Sequence, residues 1–193
     1  ADAHITTLPN VALAIMTADC VPVMITSDIA CGANNVIAAV HAGWQGLAKN
    51  VIYQTVQKMV HQSDLLEGNT DLEDIKTLTQ GWQAWVGASI AQCNYEVDSR
   101  VRAQVLEALA VDEATDTAER LFKNSEREGH YFANLAAVAE LQLNACGIHQ
   151  VFQSQLDSYG DPRFYSYRSQ TQQQLPATGR MATLIFMAES KPL

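Results

Sequence analysis

Three short apolar runs crowd the first forty residues: Val-Ala-Leu-Ala-Ile-Met at 11–16, Val-Pro-Val-Met-Ile at 21–25 and Val-Ile-Ala-Ala-Val at 36–40. Each is bounded by turn residues and too short for a buried helix, so all three predict buried strands. Pro22 has no N–H for a sheet ladder, which places the second run at a sheet edge or lets it only begin as strand there. Between the second and third runs, Cys31-Gly32-Ala33-Asn34-Asn35 is a turn signal.

The third run continues into His41-Ala42-Gly43-Trp44-Gln45-Gly46. Leu47, Val51, Ile52, Thr55, Val56, Met59 and Val60 then recur at helical spacing, giving a strand, a glycine-bearing turn and a helix. Residues 63–80 are polar and acidic and predict a surface connection with a short helix. Residues 82–90 return to a strand pattern. Asp98 or Ser99 can cap a helix whose apolar face is Val101, Val105, Leu106 and Leu109. Residues 112–130 are charge-rich and predicted exposed. Asn134 caps a further helix that Gly147 closes. Late strands fall at 151–152 and 183–187, with a flexible loop at 170–176 between them. Strands and helices mix without strict alternation, so the chain reads as α+β, mixed β-sheets flanked by helices, in one domain over 1–193.

Composition narrows the function classes. The net charge is −9, and the 12 Lys and Arg form no cluster, which argues against nucleic acid as a partner. No apolar run approaches the ~20 residues of a membrane helix. Cys20, Cys31, Cys93 and Cys146 form no CxxC pair and read as reduced thiols of a cytoplasmic protein.

Two positions carry most of the chemical interest. A lone cysteine between strands is most often a buried thiol, yet Cys20 closes Thr17-Ala18-Asp19-Cys20 beside a carboxylate. His41 stands at the carboxyl end of a strand before a glycine turn, where sheet proteins place ligands. The amides from Gly43 onward would there favour an anion. Thiolate and imidazole are strong zinc ligands, but a catalytic zinc uses three protein ligands and these are two. His4 is near in sequence without a spacing that selects it; His61, His130 and His149 read as solvated. Arg168 in Tyr165-Ser166-Tyr167-Arg168, and Arg180 after Gly179, can hold a phosphate or carboxylate or simply be surface arginines. Tyr95 and Glu96 offer acid–base chemistry or packing.

Taken together, Thr17-Ala18-Asp19-Cys20, Val40-His41-Ala42-Gly43-Trp44-Gln45-Gly46-Leu47, Cys93-Asn94-Tyr95-Glu96-Val97 and Ser166-Tyr167-Arg168 with Gly179-Arg180-Met181 resemble the YfiH family. That family is also called the multicopper polyphenol oxidoreductase or laccase-domain family, and it includes purine nucleoside phosphorylases. The resemblance implies a zinc site of one Cys and two His, with Cys20 and His41 as two ligands. It places the first histidine, and an arginine-bearing motif, upstream of Ala1, so this chain is expected to lack an N-terminal part of the family. His4 does not match that ligand. The chain has Gly87-Ala88 and Ala91-Gln92 where the family has Gly-Pro, which is expected to loosen that turn, and Asn134 where Asp is usual.

The copper of older family descriptions can be weighed against composition. A multicopper centre needs many histidines, usually as His-x-His, whereas this chain has 5 His and no such pair. The implied function is a zinc-dependent purine nucleoside phosphorylase acting on adenosine, inosine, guanosine and methylthioadenosine, with adenosine deaminase activity alongside. Its partners are then purine nucleosides and phosphate, the latter held by Arg168, Arg180 or the amides at Gly43. Two alternatives use the same residues differently: a metal-free hydrolase with Cys20 as nucleophile and His41 as base, and a non-catalytic binding subunit.

Overall fold

A computed structural model describes residues 2–27, 35–63 and 71–189. The turn signal at 31–35, apart from Asn35, and residues 64–70 of the acidic connection lie outside the described residues. The chain begins with β1 (Ala3–Thr6), β2 (Leu13–Thr17), β3 (Val21–Thr26) and β4 (Ile37–Ala42). It continues through α1 (Trp44–Leu47), α2 (Val51–Gln62), α3 (Leu72–Leu78), β5 (Gln83–Val86), a 3-10 turn at Gln92–Asn94, β6 (Glu96–Asp98) and α4 (Ser99–Leu109). The remainder is α5 (Asp116–Leu121), β7 (Phe122–Asn124), β8 (His130–Ala133), α6 (Leu135–Ala145), β9 (Gln150–Gln153), α7 (Tyr167–Gln172) and β10 (Met181–Ile185).

Among the described residues the strands form three sheets: β1-β4-β3-β5-β9, the ribbon β10-β2, and β6-β8-β7. In the large sheet only β5 and β9 pair in parallel. This is the α+β architecture with mixed sheets and flanking helices.

Side-chain alternation decides which face of the large sheet carries the core. Val21, Val23 and Ile25 of β3 and Ala38, Val40 and Ala42 of β4 join the main buried cluster, with Ile52, Val56 and Met59 of α2 and Val138 and Leu143 of α6. Each fully buried branched side chain contributes about 1.5–3 kcal/mol, so the helix-facing side dominates cohesion. The other face holds a smaller cluster, Met24 and Ala39 beneath Ile15 of the ribbon. The ribbon's outer side is apolar and open, with Met16 56%, Leu184 58% and Phe186 63% exposed.

Several sequence expectations change here. β3 is a central strand, not an edge strand. Pro22 is tolerated because it sits at the second residue, before the first pair with β5, Val23 with Val86. The helix expected to follow Gly43 is two: α1 ends at Leu47, and Asn50, with φ +55°, redirects the chain into α2. The expected exposed stretch at 112–130 contains α5 and β7, which bury Ala118, Leu121 and Phe122. The expected loop at 170–176 opens in α7, whose N-cap Ser166 accepts from the Ser169 amide at 3.0 Å. The turn lacking the family's prolines is not loose: Ala91 N donates to Asp157 Oδ1 at 2.9 Å. Gln92, at a proline position of the family, donates its Nε2 to Leu121 O at 3.2 Å and Phe132 O at 3.1 Å, side-chain bonds a proline could not make. Asn134 does cap α6, accepting from Ala137 N at 3.0 Å, and Gly147 follows it at φ +87°.

Candidate active site

The β3–β4 pairing builds one half of the site. Val21 pairs with Ala42 and Pro22 with His41, so Cys20, just before β3, comes opposite Gly43, just after β4. Val21 and Ala42 point to the helices, and alternation therefore turns Cys20 and His41 to the other face. A Cβ built on Gly43 would lie 3.1 Å from Cys20 Sγ and 3.9 Å from His41 Nε2. Both donor atoms thus reach toward one point. The φ of −72° and ψ of 165° at Gly43 suit any residue; what calls for glycine there is space. His41 N donates to Asp2 O at 2.7 Å, tying the end of β4 to the start of β1. A cleft of about 350 Å³ opens over Cys20, His41 and Gly43, bordered by Asp2, Trp44 and Lys49.

The other half arrives from distant sequence. Asp19, 7% exposed, accepts from Ser158 Oγ at 2.7 Å and from Arg168 N at 2.7 Å. Arg168 lays its guanidinium 5.0 Å from the centre of the Tyr95 ring and donates to Glu96 O at 3.1 Å. Burial, then the Asp19 carboxylate, push the Cys20 thiol above its ordinary value, and Arg180 partly opposes them. Burial, then the neighbouring Cys20, push the Tyr95 phenol up to about 12, while Arg168 pulls it down. Tyr95 is therefore a neutral hydroxyl at physiological pH.

Of the residues singled out in the sequence, Cys20, His41 and Gly43 come together, and Tyr95, Arg168 and Arg180 lie around them. Arg168 is largely committed to Tyr95 and Glu96. Arg180 is exposed, and its Nη1 donates to Gly179 O at 2.9 Å. Of the amides after His41, that of Leu47 is already taken, donating to Gly43 O at 2.9 Å within the four-residue α1. His4 pairs with Ala39 in β1 and is exposed; the residue brought beside His41 is Asp2. His61 and His149 are exposed, whereas His130 is half-buried in β8 with Nδ1 3.0 Å from Glu128 O. Ser158 carried no sequence signal. Its role depends on a contact across 139 residues of chain.

The donor set fits zinc in type and direction, since a thiol sulfur and an imidazole nitrogen converge. The count is short: among the described residues no group of three His, Cys, Asp or Glu could hold a metal ion. No helix among them is long and apolar enough to cross a membrane.

A family model described as multi-copper polyphenol oxidoreductase laccase matches residues 1–188. A purine nucleoside phosphorylase of Rickettsia prowazekii is 33% identical over 186 residues, covering 96% of this chain and 67% of its own length. Another, from Haemophilus influenzae, is 33% identical over 187 residues, covering 96% and 64%. Among solved structures, Neisseria meningitidis protein NMB0706 superposes with TM-score 0.74 at 29% identity, over 98% of this chain and 65% of that one. YlmD from Geobacillus stearothermophilus gives TM-score 0.75 at 25% identity, over 97% and 61%. The chain spans about two thirds of the length of these relatives.

Proposed function

The chain belongs to the multi-copper polyphenol oxidoreductase laccase family, and on that footing we propose that it acts as a purine nucleoside phosphorylase at the Cys20–His41 cleft. The observation that carries this reading is the convergence of Cys20 Sγ and His41 Nε2 beside Gly43, at the floor of a cleft of about 350 Å³. That volume lies in the range of small-ligand clefts, roughly 300–1,000 Å³. The substrates proposed are adenosine, inosine, guanosine and methylthioadenosine, with deamination of adenosine alongside.

Cys20 and His41 are the residues that would hold zinc, with a third ligand, a histidine that the family resemblance places upstream of Ala1. When bound, zinc supplies Lewis-acid polarisation at that point. The chain's own groups account for the rest. In phosphorolysis a phosphate oxygen bonds to the ribose C1′ as the bond to purine N9 breaks, and N9 takes the electron pair and then the proton that the hydrogen phosphate gives up. Negative charge thus enters with phosphate and leaves on the base, and preorganised cations favour both. Arg180 suits the phosphate because it is exposed and close enough to Cys20 to lower its thiol. Arg168, held on Tyr95, adds fixed positive charge. Free thiols at Cys20, Cys93 and Cys146 suit a cytoplasmic setting.

The metal-free hydrolase reading is disfavoured by the same geometry. A thiol raised by burial and by Asp19 is a weak nucleophile. The deciding experiment incubates a longer form of the protein, carrying the upstream histidine that the resemblance implies, with zinc, inosine and phosphate and separates the products by chromatography. Beside it runs the 193-residue chain, which is expected to bind zinc weakly and turn over little. Equal amounts of free base and ribose 1-phosphate are expected from the longer form. Base release that does not depend on phosphate would replace the reading with a hydrolase. Metal bound without turnover would replace it with a binding subunit.

A further inference from the structure

Asp19 is an expensive residue to keep. Its φ is +88°, a backbone conformation L side chains rarely adopt. Its carboxylate is buried, and among the described residues it forms no ion pair. Strain and a buried charge in one residue, adjoining Cys20, mark a position selected for more than packing.

What offsets the cost is a set of three bonds to three other stretches of chain. Ser158 Oγ donates to Oδ1 at 2.7 Å, Arg168 N donates to Oδ2 at 2.7 Å, and Ile90 N donates to the Asp19 carbonyl at 3.0 Å. Ser158 is itself 1% exposed and its amide donates to Ser89 O at 3.0 Å. Arg168 is the second residue of α7, so pinning its amide sets where its side chain starts. The guanidinium then rests on Tyr95 and Glu96 O. Without the Asp19 carboxylate, the segment from Ser158 to Arg168 would lose both of its side-chain anchors to the Cys20 corner.

We propose that Asp19 is a positioning residue that locks the Arg168 segment against the Cys20 corner, so that thiol and guanidinium keep one relative placement. This rests on the reading of the Cys20–His41 cleft as the active site. Asp19 itself touches no substrate in this scheme. Geometry, not charge, is what it supplies. An asparagine could do the same: its Oδ1 accepts from Arg168 N while its Nδ2 donates to Ser158 Oγ, a hydroxyl able to accept.

The test compares native chain, Asp19→Asn and Asp19→Gly by NMR amide exchange and by calorimetric titration with inosine. Glycine suits the positive φ, so it removes the carboxylate without adding strain. In Asp19→Gly the Arg168 amide is expected to exchange about 10-fold faster, the loss of one hydrogen bond. Amides of Val23 and Val40 in the sheet should keep their native rates, inosine binding should weaken, and Asp19→Asn should restore both. An Arg168 amide that stays protected in Asp19→Gly would overturn the proposal, as would faster exchange everywhere or failure of Asp19→Asn to restore it. If the native chain binds no inosine, the functional reading fails, and the exchange rates still decide the role of Asp19.

Discussion

Gly43→Ala places a methyl group between the two donor atoms of the cleft. The new carbon would stand 3.1 Å from Cys20 Sγ, closer than ordinary contact of 3.4–4 Å, and 3.9 Å from His41 Nε2. The backbone at φ −72° and ψ 165° accepts alanine, so no main-chain strain adds to the effect. Overpacking in a closed core costs about 1–3 kcal/mol, but Cys20 is half-buried at a cleft wall and its sulfur has room to give. Gly to Ala at a compatible site also lowers the entropy of the unfolded chain by roughly 0.4–1 kcal/mol. The two effects oppose, and the net change in stability is expected within about 1 kcal/mol. Function should respond far more. A metal needs both donors at about 2.0–2.3 Å, and the methyl fills the space they share; misplacement by about 1 Å costs on the order of 100-fold in rate. Urea denaturation measures the first quantity, and zinc titration with phosphorolysis rates the second. Native-like zinc binding and turnover in Gly43→Ala would refute the placement of the site. A stability loss beyond about 3 kcal/mol would show Gly43 to be a packing glycine instead.

Cys20→Ala should cost less than about 1 kcal/mol, because the side chain borders a cleft, and should abolish phosphorolysis and deamination together; loss of one alone would mean separate sites. Ile25→Ala, at 0% exposure between the sheet and its helices, should lower stability by about 2–5 kcal/mol in urea denaturation. Asp98→Ala removes the acceptor for Val101 N at 3.0 Å and should cost about 1 kcal/mol, read as a lower melting temperature. Burial pushes the Cys146 thiol from 9.0 to about 12, so its stabilising effect is present below pH 9 and is lost as pH rises toward 12. Urea midpoints should therefore fall more steeply above pH 9 in the native chain than in Cys146→Ala.

The sequence by itself determined the local parts. Runs at 21–25 and 36–40 were legible as strands because they are short, bounded by turn residues and rich in β-branched side chains. Caps at Asp98 and Asn134 and the glycine after α6 were legible because capping depends on one side chain and its nearest amides. The pairing of cysteine and histidine chemistry in Cys20 and His41 was equally plain. Short strands such as β6 and β7, three residues each, left no periodicity to read. Tertiary structure alone decided the register that sets Val21 against Ala42, and with it the face Cys20 and His41 share. A slip of one residue would have sent them apart. It alone brought Ser158 and Arg168 onto Asp19, since those bonds span 139 and 149 residues. Contacts of that separation follow from how whole layers pack, and no local run of side chains carries them.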